Sequence, residues 1–161
     1  MRSLAGRAFL LALAVTAAAF EACGGDGAID DALQVELTRL EFKIPGSLAA
    51  IAVTGDDAVV GEWRSAELSL FVNLSGSTDA LGNNGKDEFR LTIMTIDGRE
   101  ATIERFMDPG GDATRPYVAA VHFADAGEGQ QLTMFGRGAT EDDQDTLLAI
   151  FRSLKFREAD A

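Results

Sequence analysis

The sequence predicts an α+β domain, a curved antiparallel sheet of about six to seven strands packed by a C-terminal helix. Three observations lead there. Short apolar runs of period two fill most of the chain between Leu33 and Arg137. Asp97-Gly98 between two such runs is a tight-hairpin signal. Thr140 to Phe156 is the one long stretch of helical period.

The helix carries its own boundaries. Thr140 is placed to cap the first turn, with Asp143 three residues on as a capping-box partner. Glu141, Asp142, Asp143 and Asp145 put negative charge where the helix dipole favours it, and Arg152 and Lys155 put positive charge at the other end. Leu147, Ile150, Phe151 and Leu154 line one face, which the sheet must cover.

The strands follow in order. Leu33 to Ile44 holds two period-two runs that change phase at Thr38-Arg39, which fits a bent or bulged strand or two short ones. Pro45-Gly46 ends it. Leu48 to Thr54 and Val59 to Trp63 are short pieces, and Ala66 to Leu74 alternates clearly, with Phe71 intruding on its polar side. Ser75 to Lys86 is rich in Gly, Ser and Asn and reads as a surface loop. Asp87 to Ile96 and Arg99 to Met107 flank the hairpin turn. Tyr117 to Ala124 reads as a buried strand, and Gln130 to Arg137 leads to the helix.

The amino terminus is organised differently. Arg2 and Arg7 precede a 13-residue run, Ala8 to Phe20, that is apolar except for Thr16. A membrane span needs about 20 residues, so this run has the form of a secretory signal peptide. Ala22-Cys23-Gly24-Gly25 resembles a bacterial lipoprotein signal, in which the cysteine becomes the acylated first residue. Phe20 and Glu21 depart from that pattern, and simple secretion after Ala17-Ala18-Ala19 is the alternative. The division expected is residues 1–22 as a lipoprotein-type signal peptide, 23–31 as a flexible tether, 32–157 as one domain and 158–161 as a tail. The Gly24 to Asp31 tether reaches about 16 Å. Lipidated Cys23 would hold the domain on a membrane, and Gly24 behind it points to the outer one, facing periplasm or cell surface.

Charge narrows the partners. The chain has a formal net charge of −12, and the first 22 residues contribute +1, so the body is more acidic still, near −13. Such a body is repelled by nucleic acid. With one cysteine, no internal disulfide forms.

Candidate chemistry is sparse. His122 is the only histidine, and no Gly-x-Ser-x-Gly elbow supplies a nucleophile for it. One histidine and one cysteine make no closed zinc site. Asp79, Asn83 and Asp87 in and beside the long loop are the calcium candidates, although Leu81 and Gly85 break the EF-hand order. Glu62, Glu67 and Glu104 lie on or beside strands with nothing to pair them. Gly136-Arg137-Gly138 lacks the further Gly or Lys of a phosphate loop. His122, Trp63 and Tyr117 are the candidate ligand-binding residues, and core packing is the competing reading for the aromatic pair.

Ile96-Asp97-Gly98-Arg99-Glu100-Ala101, Tyr117-Val118-Ala119-Ala120-Val121-His122-Phe123 and Ile150-Phe151-Arg152-Ser153-Leu154-Lys155-Phe156 follow one another at spacings that resemble a PsbP-like α/β sandwich, DcrB-type bacterial lipoproteins among its members. The resemblance covers about Leu33 to Arg157, except that Gly55 to Lys86 has no counterpart. It implies a curved antiparallel sheet backed by helices and no catalytic residues or cofactor. A membrane-tethered, non-catalytic interaction or accessory module of the cell envelope, with an envelope protein as partner, is therefore the expected function. A small-ligand-binding or hydrolytic role, in a cleft beside the 75–86 loop, is the alternative.

Overall fold

The computed structural model describes residues 15–16, 29, 31–53, 59–82 and 85–157. In chain order the elements are β1 (Val15–Thr16), β2 (Ala32–Leu37), β3 (Leu40–Pro45), β4 (Ala49–Ile51), β5 (Val59–Arg64), β6 (Leu68–Ser75), β7 (Asp87–Ile96), β8 (Arg99–Met107), β9 (Tyr117–Gly127), β10 (Gln130–Gly138), α1 (Glu141–Arg152) and β11 (Lys155–Phe156). Seven strands form one sheet in the order β4-β5-β6-β10-β9-β8-β7, and the other four form a small sheet in the order β1-β2-β3-β11. Every pairing between them is antiparallel.

The large sheet buries one face against α1 and the small sheet. Val35, Phe42 and Ile44 of the small sheet join Trp63, Leu70, Val72, Val121, Phe123 and Met134 of the large one and Leu147, Ile150 and Phe151 of the helix in a single core cluster. The phase change at Thr38-Arg39 is not a bulge in one strand. It is a two-residue turn with Thr38 at φ 52°, which folds β2 back on β3 with Leu37 opposite Leu40. That hairpin is why a second sheet exists where one sheet was expected.

The helix starts as its sequence dictates. Thr140 Oγ1 accepts the Asp143 N–H at 3.2 Å, and Asp143 Oδ2 accepts the Thr140 N–H at 2.8 Å. It ends earlier than the apolar period suggests, at Arg152. Ser153 Oγ accepts the Lys43 N–H at 2.9 Å, and the chain then enters the small sheet with Lys155 opposite Glu41 and Phe156 opposite Leu40. Gln144, buried on the helix, donates to the carbonyls of Val118 at 2.6 Å and Phe106 at 3.3 Å, so α1 is pinned across β9 and β8. Asp97 and Gly98 have φ of 49° and 77°, the both-positive pair that a type I′ turn requires. No helix of the described residues is long and apolar enough to cross a membrane.

Candidate functional site

The outward face of the large sheet holds most of the candidate chemistry. Strand register lines up Thr102, His122, Thr133 and Asn73 in one row. Glu104, Ala120, Phe135 and Phe71 form the next. Residues 76–82 and 85–86, expected as a free surface loop, lie down across these rows. Glu104 explains why. Its carboxylate is 2% exposed and would be costly to bury unpaired. It accepts the N–H groups of Leu81 at 2.8 Å and Gly82 at 2.9 Å, which straps the loop to β8. Lys86 Nζ lies 3.8 Å from the centre of the Phe106 ring and donates to the Leu81 carbonyl.

His122 belongs to the same strap. Its Nδ1 is 3.0 Å from Thr133 Oγ1. Thr133 Oγ1 accepts from Thr78 Oγ1 at 2.6 Å and donates to the Asp79 carbonyl at 3.2 Å. A hydroxyl has one proton to give, so with that proton on Asp79 the imidazole donates from Nδ1. The histidine thus reaches the loop only through Thr133, whose hydroxyl is taken up by Thr78 and Asp79.

The other candidates are scattered. Trp63 is 2% exposed and packs edge-on against Phe42 in the core, with ring centres 5.5 Å apart. Tyr117 is half-buried at the start of β9, beside Arg90 and Gln144, away from both His122 and Trp63. Asp79 is exposed and contributes its carbonyl to Thr133, and Asp87 is exposed at the start of β7. Asn83 and Cys23 lie outside the described residues. Among the described residues no three His, Cys, Asp or Glu side chains converge on a metal position. A cleft of about 350 Å³ opens elsewhere, between Ile29, the Ser65–Leu68 turn and the acidic start of α1.

Among the described residues the most exposed large apolar side chains stand at the edge of the large sheet. β7 pairs with β8 on one side and, among the described residues, with no strand on the other. The two-residue turn makes Ile96 and Arg99 a hydrogen-bonded pair, so Arg90, Thr92 and Met94 direct their backbone groups at β8. Leu91, Ile93 and Thr95 direct theirs away from the sheet, and Phe89 lies where the β7–β8 register is interrupted, between Asp87 and Arg90. Their side chains lie on the outward face, because Leu91 is opposite Glu104 and Ile93 opposite Thr102. Phe89 is anchored on Phe106, with ring centres 6.2 Å apart. Leu91 is 53% exposed and Ile93 is 61% exposed.

The edge is held rigid at its far end. Asp97 accepts the Phe156 N–H at 2.8 Å and pairs with Lys155 Nζ at 3.0 Å, and these contacts hold its carboxyl below the usual carboxylate range. The opposite edge strand, β4, is only three residues long. Asp87 to Ile96 was expected as a strand of the hairpin, and its place at the sheet's rim follows only from the strand order.

The architecture defines a class, a two-sheet α+β sandwich with one helix capping its core. No protein-family model matches the chain, and no curated protein matches its sequence. Among solved structures, the solution structure of cyanobacterial PsbP (CyanoP) from Synechocystis sp. PCC 6803 is similar, with a TM-score of 0.50 over 84% of this chain and 98% of that one. The fold is PsbP-like. At 18% identity the likeness concerns the fold alone.

Proposed function

We propose that the chain is an exported, membrane-tethered domain of the cell envelope, and that it is a non-catalytic accessory module working through a sheet edge. The observation that carries the interaction role is β7, a ten-residue edge strand with Leu91 and Ile93 standing in solvent. Natural sheets blunt such edges with charge, proline or short length, because an open ladder pairs with other chains. Here Arg90 is the only charge from Phe89 to Ile96. A PsbP-like fold favours an accessory role over catalysis, and the use of Glu104 to hold the loop and of His122 to bond Thr133 agrees with it. The tether rests on Arg2, Arg7, the apolar run to Phe20 and Cys23. Each buried acyl CH₂ contributes about 0.8 kcal/mol, so two or more chains on Cys23 suffice for anchoring.

The test has two arms. Wild-type protein should enter the detergent phase and the membrane fraction, and Cys23→Ser should release it. Unchanged partitioning of the variant overturns the tether. A photo-crosslinking residue at Ile93 should give covalent adducts in cells, and adducts at His122 with none at Ile93 would overturn the edge in favour of a ligand site.

A further inference from the structure

We propose that Arg39 and Arg99 form an oxyanion site at the β9–β10 turn, and that its ligand is a phosphate group carrying two negative charges. Such a site is separate from the role of the β7 edge, and each stands or falls alone.

Three hairpin turns gather at one end of the sandwich. Arg39 comes from the β2–β3 turn, Arg99 opens β8 after the Asp97-Gly98 turn, and Gly127 ends β9. A Cβ on Gly127 would lie 3.1 Å from Arg39 Nη2 and 3.2 Å from Arg99 Nη2, so a side chain there would crowd both guanidinium groups. The two Nη2 atoms are about 6 Å apart at most, a gap that one oxyanion spans with charge-assisted hydrogen bonds of about 2.8 Å.

Neither guanidinium is satisfied within the fold. Arg39 Nε and Nη1 are shut off from water and make no hydrogen bond among the described residues. Glu128 Oε2 is 2.6 Å from Arg39 Nη1, but it stands out of line with the N–H groups and gives a charge contact alone. Arg99 Nη1 donates to the Asp125 carbonyl at 3.3 Å. The Asp125 carboxylate is 3.7 Å from that nitrogen and already accepts the Gly127 N–H at 2.8 Å. Both Nη2 groups are left without an acceptor among the described residues. A buried donor is costly unless hydrogen-bonded, and two cations this close repel, so an anion between them relieves both.

The pair is held in place and open to solvent. Arg99 lies over the Phe156 ring, 4.6 Å from its centre, and the Arg39 carbonyl accepts the Arg157 N–H at 2.8 Å. Both arginine side chains are partly exposed. The two carboxylates nearby compete weakly, since Glu128 is 60% and Asp125 83% exposed and exposed ion pairs contribute little. A dianion meets both cations at once, which chloride or a single carboxylate does not, and this matters in a chain with 26 acidic and 14 basic residues. Free phosphate and a lipid headgroup share that chemistry.

The test titrates the full chain carrying Cys23→Ser with inorganic phosphate at constant ionic strength, read by amide chemical shifts. Saturable shifts are expected at Arg39, Gly127 and Glu128. Arg39→Gln and Arg99→Gln should each weaken binding by about tenfold or more, the loss of one charge-assisted hydrogen bond. Glu128→Gln should tighten it, because a competing carboxylate is gone. Thermal unfolding of each variant confirms that it folds, and Arg39→Lys, which keeps the charge but loses the planar fork, replaces Arg39→Gln if that variant does not. Vesicles of phosphatidic acid in phosphatidylcholine separate the two sources. Binding to them that the arginine variants lose, with no response to free phosphate, supports the site and assigns its ligand to a headgroup. Response to free phosphate without vesicle binding supports it and assigns a soluble phosphate. No saturable shift with phosphate and no vesicle binding overturns the proposal. So does binding that the folded Arg39 and Arg99 variants both retain. None of these outcomes bears on the adducts expected at Ile93.

Discussion

Leu147 of α1 rests directly on the backbone of Gly136 in β10. A Cβ at Gly136 would lie 2.2 Å from Leu147 Cδ2 and 2.5 Å from the Ser69 carbonyl oxygen. Two residues on, a Cβ at Gly138 would lie 2.3 Å from that of Asp143. The Gly-x-Gly before the helix is thus a seat for it and serves close approach, not phosphate binding.

Gly136→Ala should therefore destabilise the domain by about 1–3 kcal/mol, the usual cost of overpacking a filled core. Gly76→Ala is the control, since nothing lies within 4 Å of its Cβ position, and it should change stability by less than about 0.5 kcal/mol. Chemical denaturation of the two variants reads the difference.

Phe151→Ala removes a fully buried ring from the helix face. A loss of about 3–5 kcal/mol is expected from the cavity and the lost burial. Thr140→Ala removes one cap and should cost about 1 kcal/mol, so the two variants rank helix packing against helix capping.

Glu104→Ala should free the strap with little change elsewhere. Leu81 and Gly82 lose the carboxylate that accepts their N–H groups. Their amides should exchange with solvent at least tenfold faster, while amides of β9 and β10 keep their protection. Uniformly faster exchange would mean that Glu104 supports the sheet rather than the loop.

Acid should weaken the far end of the β7–β8 hairpin. Asp97 is lowered from the ordinary value of 3.8, first by the Phe156 N–H and then by Lys155. Asp108 is lowered from the same value by its bond to Arg137. A depressed folded-state pKa contributes stability that is present above 3.8 and lost as pH falls through the folded value. Thermal unfolding should thus show stability falling below about pH 4. In Asp97→Asn the loss should be smaller and the protein less stable at pH 7.

Much of this fold was legible in the residues. Asp97-Gly98 placed a hairpin because few residue pairs accept positive φ twice, and the spacing of Leu147, Ile150, Phe151 and Leu154 placed the helix. Other features depend on partners distant in the chain. The phase change at Thr38-Arg39 fits a bulge and a turn equally until the core shows that both β2 and β3 bury their apolar faces. Glu104 looked like any strand carboxylate, because its donors lie more than twenty residues away at Leu81 and Gly82. Trp63 was open to a groove or a core reading, and Phe42 from the small sheet covers it. Exposure of Leu91 and Ile93 follows from strand order, which local alternation does not encode.

Function through an edge rather than a pocket is most directly measured by comparing two variants in the same cells. With the photo-crosslinking residue placed at Thr95 instead, tethered protein carrying Leu91→Lys and Ile93→Lys should lose its adducts, while His122→Ala keeps them. Adducts that survive the double lysine variant and vanish in a folded His122→Ala protein would contradict it.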